Sequence, residues 1–272
     1  MGSHAVVSSA FIWRRVHSLM GFWLIIYLFE HLLVNSQAAL WIGDDGSGFV
    51  RMVNSLESLP YLQVIETVLI GLPLAIHMVW GVSRIFQAKT NSRTTDGASP
   101  SLGSYSRNRA YTWQRLTSWI LLIGIIAHVV QMRFLERPEE VHVEGKKKWE
   151  VKIQFDSGLT TLAPRLGVEM PDVQSGASQT IAVLAPDMGT ATLLVVREAF
   201  KSPWQSIFYS IFVLAAAFHA FNGFWTFLIT WGFLLSYRSQ KAMIPFSVMG
   251  IGLLSFFGLA AIWGSYWINL RQ

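Results

Sequence analysis

Four histidines hold most of the chemistry this sequence can perform. His31, His77, His128 and His219 lie in four successive apolar segments, one in each. An ionisable group inside a membrane span costs a few kcal/mol on insertion scales and tends to mark function. A single such histidine is accounted for by a hydrogen-bonded packing role; one on each of four consecutive helices is harder to explain that way. Neutral imidazole is a common metal ligand and the usual protein ligand of haem iron, and two haems held by histidine pairs need four histidines. The chain has no cysteine. That excludes disulfides, thiolate metal sites, iron–sulfur clusters held by this chain and covalent haem attachment.

Such residues need elements that place them inside a bilayer. The 272 residues are 52% apolar and only 14% charged, with 12 Trp and 18 Phe. A soluble domain carries about 25% charged residues, so the composition is that of a membrane protein. Crossing roughly 30 Å of hydrocarbon takes about 20 apolar residues. Five runs qualify: span I at 18–40, II at 61–86, III at 113–135, IV at 204–237 and V at 244–270. Each should be helical, because lipid-exposed backbone must satisfy its own hydrogen bonds. The fold class is therefore an all-α membrane protein: five transmembrane helices in one haem-binding bundle over 1–272, with a long insertion at 136–203.

The links set the orientation. Arg14 and Arg15 precede span I, and the II–III link carries Arg84, Lys89, Arg93, Arg107, Arg109 and Arg115 against Asp96. Arg238 and Lys241 lie between IV and V, whereas the I–II link has only Arg51 against Asp44, Asp45 and Glu57. Positive-inside counting puts the N-terminus in the cytoplasm and the C-terminus outside. The formal charge of +5 thus reflects membrane orientation and lipid contact, not nucleic-acid binding. The first residues lack the order of a cleaved signal peptide. The III–IV insertion mixes nine Lys/Arg with ten Asp/Glu between Arg133 and Lys201, and long loops translocate regardless of charge. "VHVEGKKKWEVKIQF" reads as a β-hairpin. "ATLLVVREAF" reads as an amphipathic helix lying on the surface, and a partly disordered insertion accounts for the stretch equally well.

Depth pairs the histidines. His31 is roughly 24 Å beyond Arg15, and His128, thirteen residues beyond Arg115, is also in the outer half. His77 lies roughly 10 Å from the inner boundary, and His219 joins it by elimination. The assignment is an outer haem on His31 and His128 and an inner haem on His77 and His219. Gly81, Gly124 and Gly223 each stand four residues from one of these histidines and so share its face. They would leave room for a flat macrocycle, although small residues also simply permit close helix packing. Span I has no such glycine beside His31. Arg84 is close to the face of His77 and in reach of haem propionates, or is only a positive-inside anchor. Glu66 falls about 20° off the face of His77 and about 16 Å further out. There it would serve a quinone or merely accept a hydrogen bond. His17, about 21 Å inward of His31 on nearly the same face, is a reserve ligand or a contact to the haem or its ligands. Glu30 points about 100° away from His31 and is a second candidate for the quinone side.

The stretches "RRVHSLMG", "EHLLVN", "SLESLP", "LPLAIHMVWGV", "WQRLTS", "AHVV", "FHAFNGFWTFLITWG" and "RSQK" resemble the five-helix dihaem cytochrome b subunit of bacterial succinate:quinone oxidoreductases. The resemblance runs through spans I to IV in order; span V matches only in character. It implies that His31, His77, His128 and His219 bind two haems b, paired between helices I and III and between II and IV. It also implies a membrane anchor in the bacterial cytoplasmic membrane, with a flavoprotein and an iron–sulfur subunit on the cytoplasmic face. The implied role is a non-catalytic, electron-transferring and quinone-reacting subunit, usually with menaquinone. The sequence departs from the family in its long III–IV link and in lacking an acid near His219 in span IV. Other readings are a cytochrome b subunit of a hydrogenase, formate dehydrogenase or nitrate reductase, or a haem-free transporter with a His/Glu proton path.

Overall fold

The computed structural model describes residues 8–86, 103–171 and 179–271. Lys89, Arg93 and Asp96 of the II–III link fall outside the described residues. Five helical stretches are long and apolar enough to cross a membrane: Ser9–Ser36, Leu62–Arg84, Ser106–Leu135, Pro203–Thr230 and Tyr237–Asn269. They are built from α1 (Ser9–Ser36), α3 (Leu62–Glu66), α4 (Leu72–Ile85), α5 (Ser106–Val129), α8 (Pro203–Thr230) and α9 (Tyr237–Leu259); α2 (Ser47–Glu57) lies between the first two spans. π turns at Thr67–Gly71, Val130–Leu135 and Ala260–Asn269 interrupt or extend the second, third and fifth.

Helix ends differ from the apolar runs for local reasons. α1 starts nine residues earlier than the run because Ser8 caps it, its hydroxyl accepting from the Phe11 N–H at 3.3 Å. Arg15 then lies across the Phe11 ring, its guanidinium carbon 3.6 Å from the ring centre, which lets a cation ride on an otherwise apolar helix. The fourth span stops at Thr230 although apolar residues continue. Gly232 adopts φ +81, its N–H donates to Ile229 and that of Phe233 to Leu228, which is the Schellman closure that ends a helix.

Two compact units make up the chain. The first comprises Met1–Phe29, Gln63–Leu122 and Leu214–Leu253; the second comprises Glu30–Leu62, Ile123–Val213 and Leu254–Gln272. In the first unit, Trp23 donates its indole N–H to the Leu69 carbonyl at 2.6 Å. That carbonyl lies in the Thr67–Gly71 π turn, where the regular helical hydrogen-bond ladder is broken.

The second unit contains the III–IV insertion, whose described residues are folded. β1 (Glu139–Val143) and β2 (Lys146–Gln154) form the expected hairpin, and β3 (Thr180–Ala185) adds to β2, giving an antiparallel sheet in the order β1-β2-β3. The hairpin turns at Glu144 and Gly145, both at positive φ, as a two-residue loop matched to strand twist requires. α6 (Ser157–Arg165) and α7 (Met188–Lys201) are capped by Asp156 and Asp187, which accept from the Leu159 and Thr190 N–H groups. Val151, Ile153, Val183, Leu159 and Leu194 are the centre of a core between sheet and helices.

α7 corrects the expectation of a helix lying on a surface. Ten of its fourteen residues are buried. Leu193 to Val196 are four consecutive apolar residues, and α2 and the sheet pack against the helix, while the buried Arg197 is neutralised by Asp156. Its N-terminus is bolted to α2: Asn54 donates to Asp187 and accepts from the Gly189 N–H, both at 2.8 Å. Its far end is held by Arg197, 1% exposed, which donates through both terminal nitrogens to Asp156 at 2.7 and 2.8 Å and through Nε to the Leu270 carbonyl at 2.7 Å.

Candidate functional site

The first unit brings His77 of α4 and His219 of α8 together, their ring centres 6.3 Å apart at an interplanar angle of 80°. His77 Nδ1 lies 3.1 Å from the His17 carbonyl oxygen. A carbonyl only accepts, so Nδ1 carries the proton and Nε2 keeps its lone pair. His219 is fixed in the same sense from α5. The Thr117 hydroxyl donates to the Trp113 carbonyl at 2.8 Å, so it accepts from His219 Nδ1–H at 3.3 Å. Gln114 donates to the His219 carbonyl at 3.2 Å and accepts from Asn222 at 2.8 Å, holding α5 and α8 in register.

His17 lies flat on His77, ring centres 4.0 Å apart and 11° from parallel, with Trp80 4.6 Å from its own ring centre. A ring stacked on the face of His77 acts on that side chain as a support and does not oppose it across an iron. Gly21 makes this possible: a Cβ there would come within 2.8 Å of His77 Cε1. Arg84 is exposed, its guanidinium 4.5 Å from the centre of the Trp80 ring.

The second unit brings His31 of α1 and His128 of α5 together, ring centres 5.8 Å apart at 76°. His128 Nδ1 is 3.2 Å from the Tyr209 hydroxyl, which donates to Gln131 Oε1 at 3.0 Å. With its proton given to Gln131, Tyr209 accepts from His128, and Nε2 of His128 is again the lone-pair nitrogen.

Two features differ from expectation. The glycines one turn from the histidines admit side chains. Gly124 takes the Phe212 ring, while Cβ atoms at Gly81 and Gly223 would sit 3.6 Å from His17 and Gln114. A position one turn from a histidine is also where the neighbouring helix packs. Glu66 is turned away from the face of His77. Eleven α-helical steps of about 100° would leave it about 20° off, but the Thr67–Gly71 π turn absorbs one residue, which makes the offset about 80°. Glu66 and Glu30 are both half-buried and fall in different units, Glu66 in the first and Glu30 in the second.

Each pair suits an iron held between imidazoles. A metal–imidazole bond is about 2 Å and a ring nitrogen lies about 1 Å from the ring centre, so two rings across one metal have centres about 6 Å apart. Among the described residues, no three His, Asp or Glu side chains converge on one metal position; a bis-imidazole site needs only two. Holding Nδ1–H to a carbonyl or hydroxyl is also how metal-bound histidines are usually oriented.

The chain is 30% identical over 253 residues to the succinate dehydrogenase cytochrome b558 subunit of Bacillus subtilis (strain 168), a match that takes in 93% of this chain and 95% of that relative. The chain belongs to the succinate dehydrogenase cytochrome b subunit family. No protein-family model and no solved structure matches it. With its five apolar helices, this cytochrome b family member is a multi-pass membrane protein. The residues around its histidine pairs that the sequence does not single out are Gly21, Gln114, Thr117, Gln131 and Tyr209. Gly21, Gln114 and Thr117 do lie in the stretches "RRVHSLMG" and "WQRLTS", but the contacts of all five are made across helices, which spacing along one helix does not show.

Proposed function

We propose that this chain is the membrane-anchor cytochrome b subunit of a succinate dehydrogenase or fumarate reductase, holding one haem b between His31 and His128 and another between His77 and His219. The observation that carries the reading is the two facing imidazole pairs, with ring centres 5.8 and 6.3 Å apart on helices of one membrane protein. Bound haem supplies reversible one-electron transfer; the protein supplies position. His17, Thr117 and Tyr209 hold the Nδ1 protons of His77, His219 and His128, so each presents Nε2 as ligand. Arg84 is the cation nearest along the chain to the His77 pair, suited to a haem propionate.

In this reading a flavoprotein and an iron–sulfur subunit dock on the cytoplasmic face, where the basic links lie, and electrons pass between them and a membrane quinone such as menaquinone. Quinone reacts beside the outer His31/His128 pair, with Glu30, the residue next to His31 in the same unit, as its polar neighbour. The folded 136–203 insertion stands outside the membrane. The test is a haem count with a reduced-minus-oxidised spectrum on the purified complex. The parent gives two haems b per chain, and His31→Ala or His128→Ala gives one. Two haems in both variants would overturn the ligand assignment, and no b-type α-band in the parent would overturn the function.

A further inference from the structure

A short polar chain leads from His128 to the end of its span, continuing past the Tyr209 contact that orients the imidazole. His128 Nδ1–H donates to Tyr209, Tyr209 O–H to Gln131 Oε1 at 3.0 Å, and Gln131 Nε2 to Glu136 Oε1 at 2.8 Å. All four residues belong to the second unit, and Tyr209 is 5% exposed. Glu136 stands one residue past the last of its span, Leu135. Its other oxygen, Oε2, is buried and meets no hydrogen-bond donor among the described residues.

The donors all point the same way, towards Glu136. Hydrogen bonds aligned in series polarise one another. A carboxylate at Glu136 draws on the Gln131 amide, which makes Gln131 Oε1 a better acceptor for Tyr209. Tyr209 in turn becomes a better acceptor for His128 Nδ1–H. An ionised Glu136 thus makes His128 more electron-rich, which favours ferric iron; a protonated Glu136 favours ferrous iron. Burial raises the carboxyl above its usual range; the Gln131 hydrogen bond opposes this, and the charge of Glu198 on α7 adds to it. Glu198 is ion-paired with Lys201 at 2.7 Å, and Lys201 also meets Asp156 at 2.7 Å. Arg133 and Arg137 flank Glu136 along the chain.

Resting on the ligand assignment above, we propose that Glu136 takes up a proton from water beyond the membrane when an electron reaches the His31/His128 haem, with Gln131 and Tyr209 carrying the link. One electron reduces the iron, and one proton passes from hydronium to the carboxylate, breaking one O–H bond on the donor and forming one on Glu136. Linkage is reciprocal, so the midpoint potential of this haem falls as pH rises.

The experiment is a redox titration of the assembled complex, followed by haem absorbance at a series of pH values. In the parent, at least one midpoint falls with pH; Glu136→Gln abolishes the slope of the His31/His128 haem and leaves the other haem unchanged. Gln131→Leu removes the amide that joins Glu136 to Tyr209 and abolishes the same slope, and it decides the matter should Glu136→Gln fail to assemble. A parent without slope, or a variant with the parent's slope, overturns the linkage. His128→Ala separates the two readings: if it retains both haems, the ligand assignment has failed. If it loses one haem while Glu136→Gln keeps the slope, only the linkage has failed.

Discussion

Gly21 is the residue on which the His77 site depends most narrowly. A Cβ at this position would press within 2.8 Å of the His77 ring, so Gly21→Val should displace the imidazole and lower haem content to one per chain, measured by the reduced-minus-oxidised spectrum. Gly21→Ala should do so partially. That His31 and His128 lie near each other can be read from the sequence because depth along a helix depends only on residue count, whereas His219 is placed with His77 only by elimination. Thr117, Gln131 and Tyr209 cannot be read in this way. Each is an ordinary residue of an apolar helix until a second helix is rotated against it, and rotation is set by packing between helices. The glycines show the same limit from the other side. A small residue one turn from a histidine signals that something comes close, and in this protein that something is His17, Phe212 or Gln114.

At the scale of elements, Arg197 decides whether the insertion is a folded part of the protein. It is a buried charge with a two-pronged bond to Asp156 and a third bond to the Leu270 carbonyl. Removing one partner of a buried pair costs about 3–5 kcal/mol. Arg197→Ala should therefore open the insertion to limited proteolysis in the solubilised complex, and Arg197→Lys should not rescue it, since an ammonium lacks the planar fork. Burial works against the charged form of Asp156, but bonds from Arg197 and Lys201 overcome it and hold the carboxyl well below the usual carboxylate range. A depressed carboxylate stabilises fully above its unfolded value of 3.8 and loses that contribution only as pH falls below it. Protease resistance of the insertion should then be flat from neutral to mildly acid pH and fall only in stronger acid. The hairpin was legible here because alternation and a Gly-containing turn are local signals. The burial of α7 is not legible in the same way, because it depends on α2, the sheet and the Asp156 partner of Arg197, all distant in the chain. The π turn that rotates Glu66 has no sequence signature: "TVLIG" is unremarkable as α-helix.

For the whole molecule, the arginines and lysines of the links predict which side of the membrane each terminus occupies. With basic links on one side, a reporter that is active only outside the cytoplasm should be active when fused after Gln272 and inactive when fused in the II–III link; the reverse pattern would invert the assignment. Five spans follow from composition alone, because lipid leaves a long apolar run little alternative to a helix. The division into two units was not legible: α5 passes from one to the other between Leu122 and Ile123, and α8 between Val213 and Leu214, within unbroken apolar sequence. The Arg197–Leu270 bond joins positions 73 residues apart. At a synthesis rate of about 5–20 residues per second, Arg197 leaves the ribosome about 4–15 s before the carbonyl that completes its hydrogen bonding. The anchor of the insertion is thus completed only after the final helix has been made, and its closure reports that this helix has been delivered.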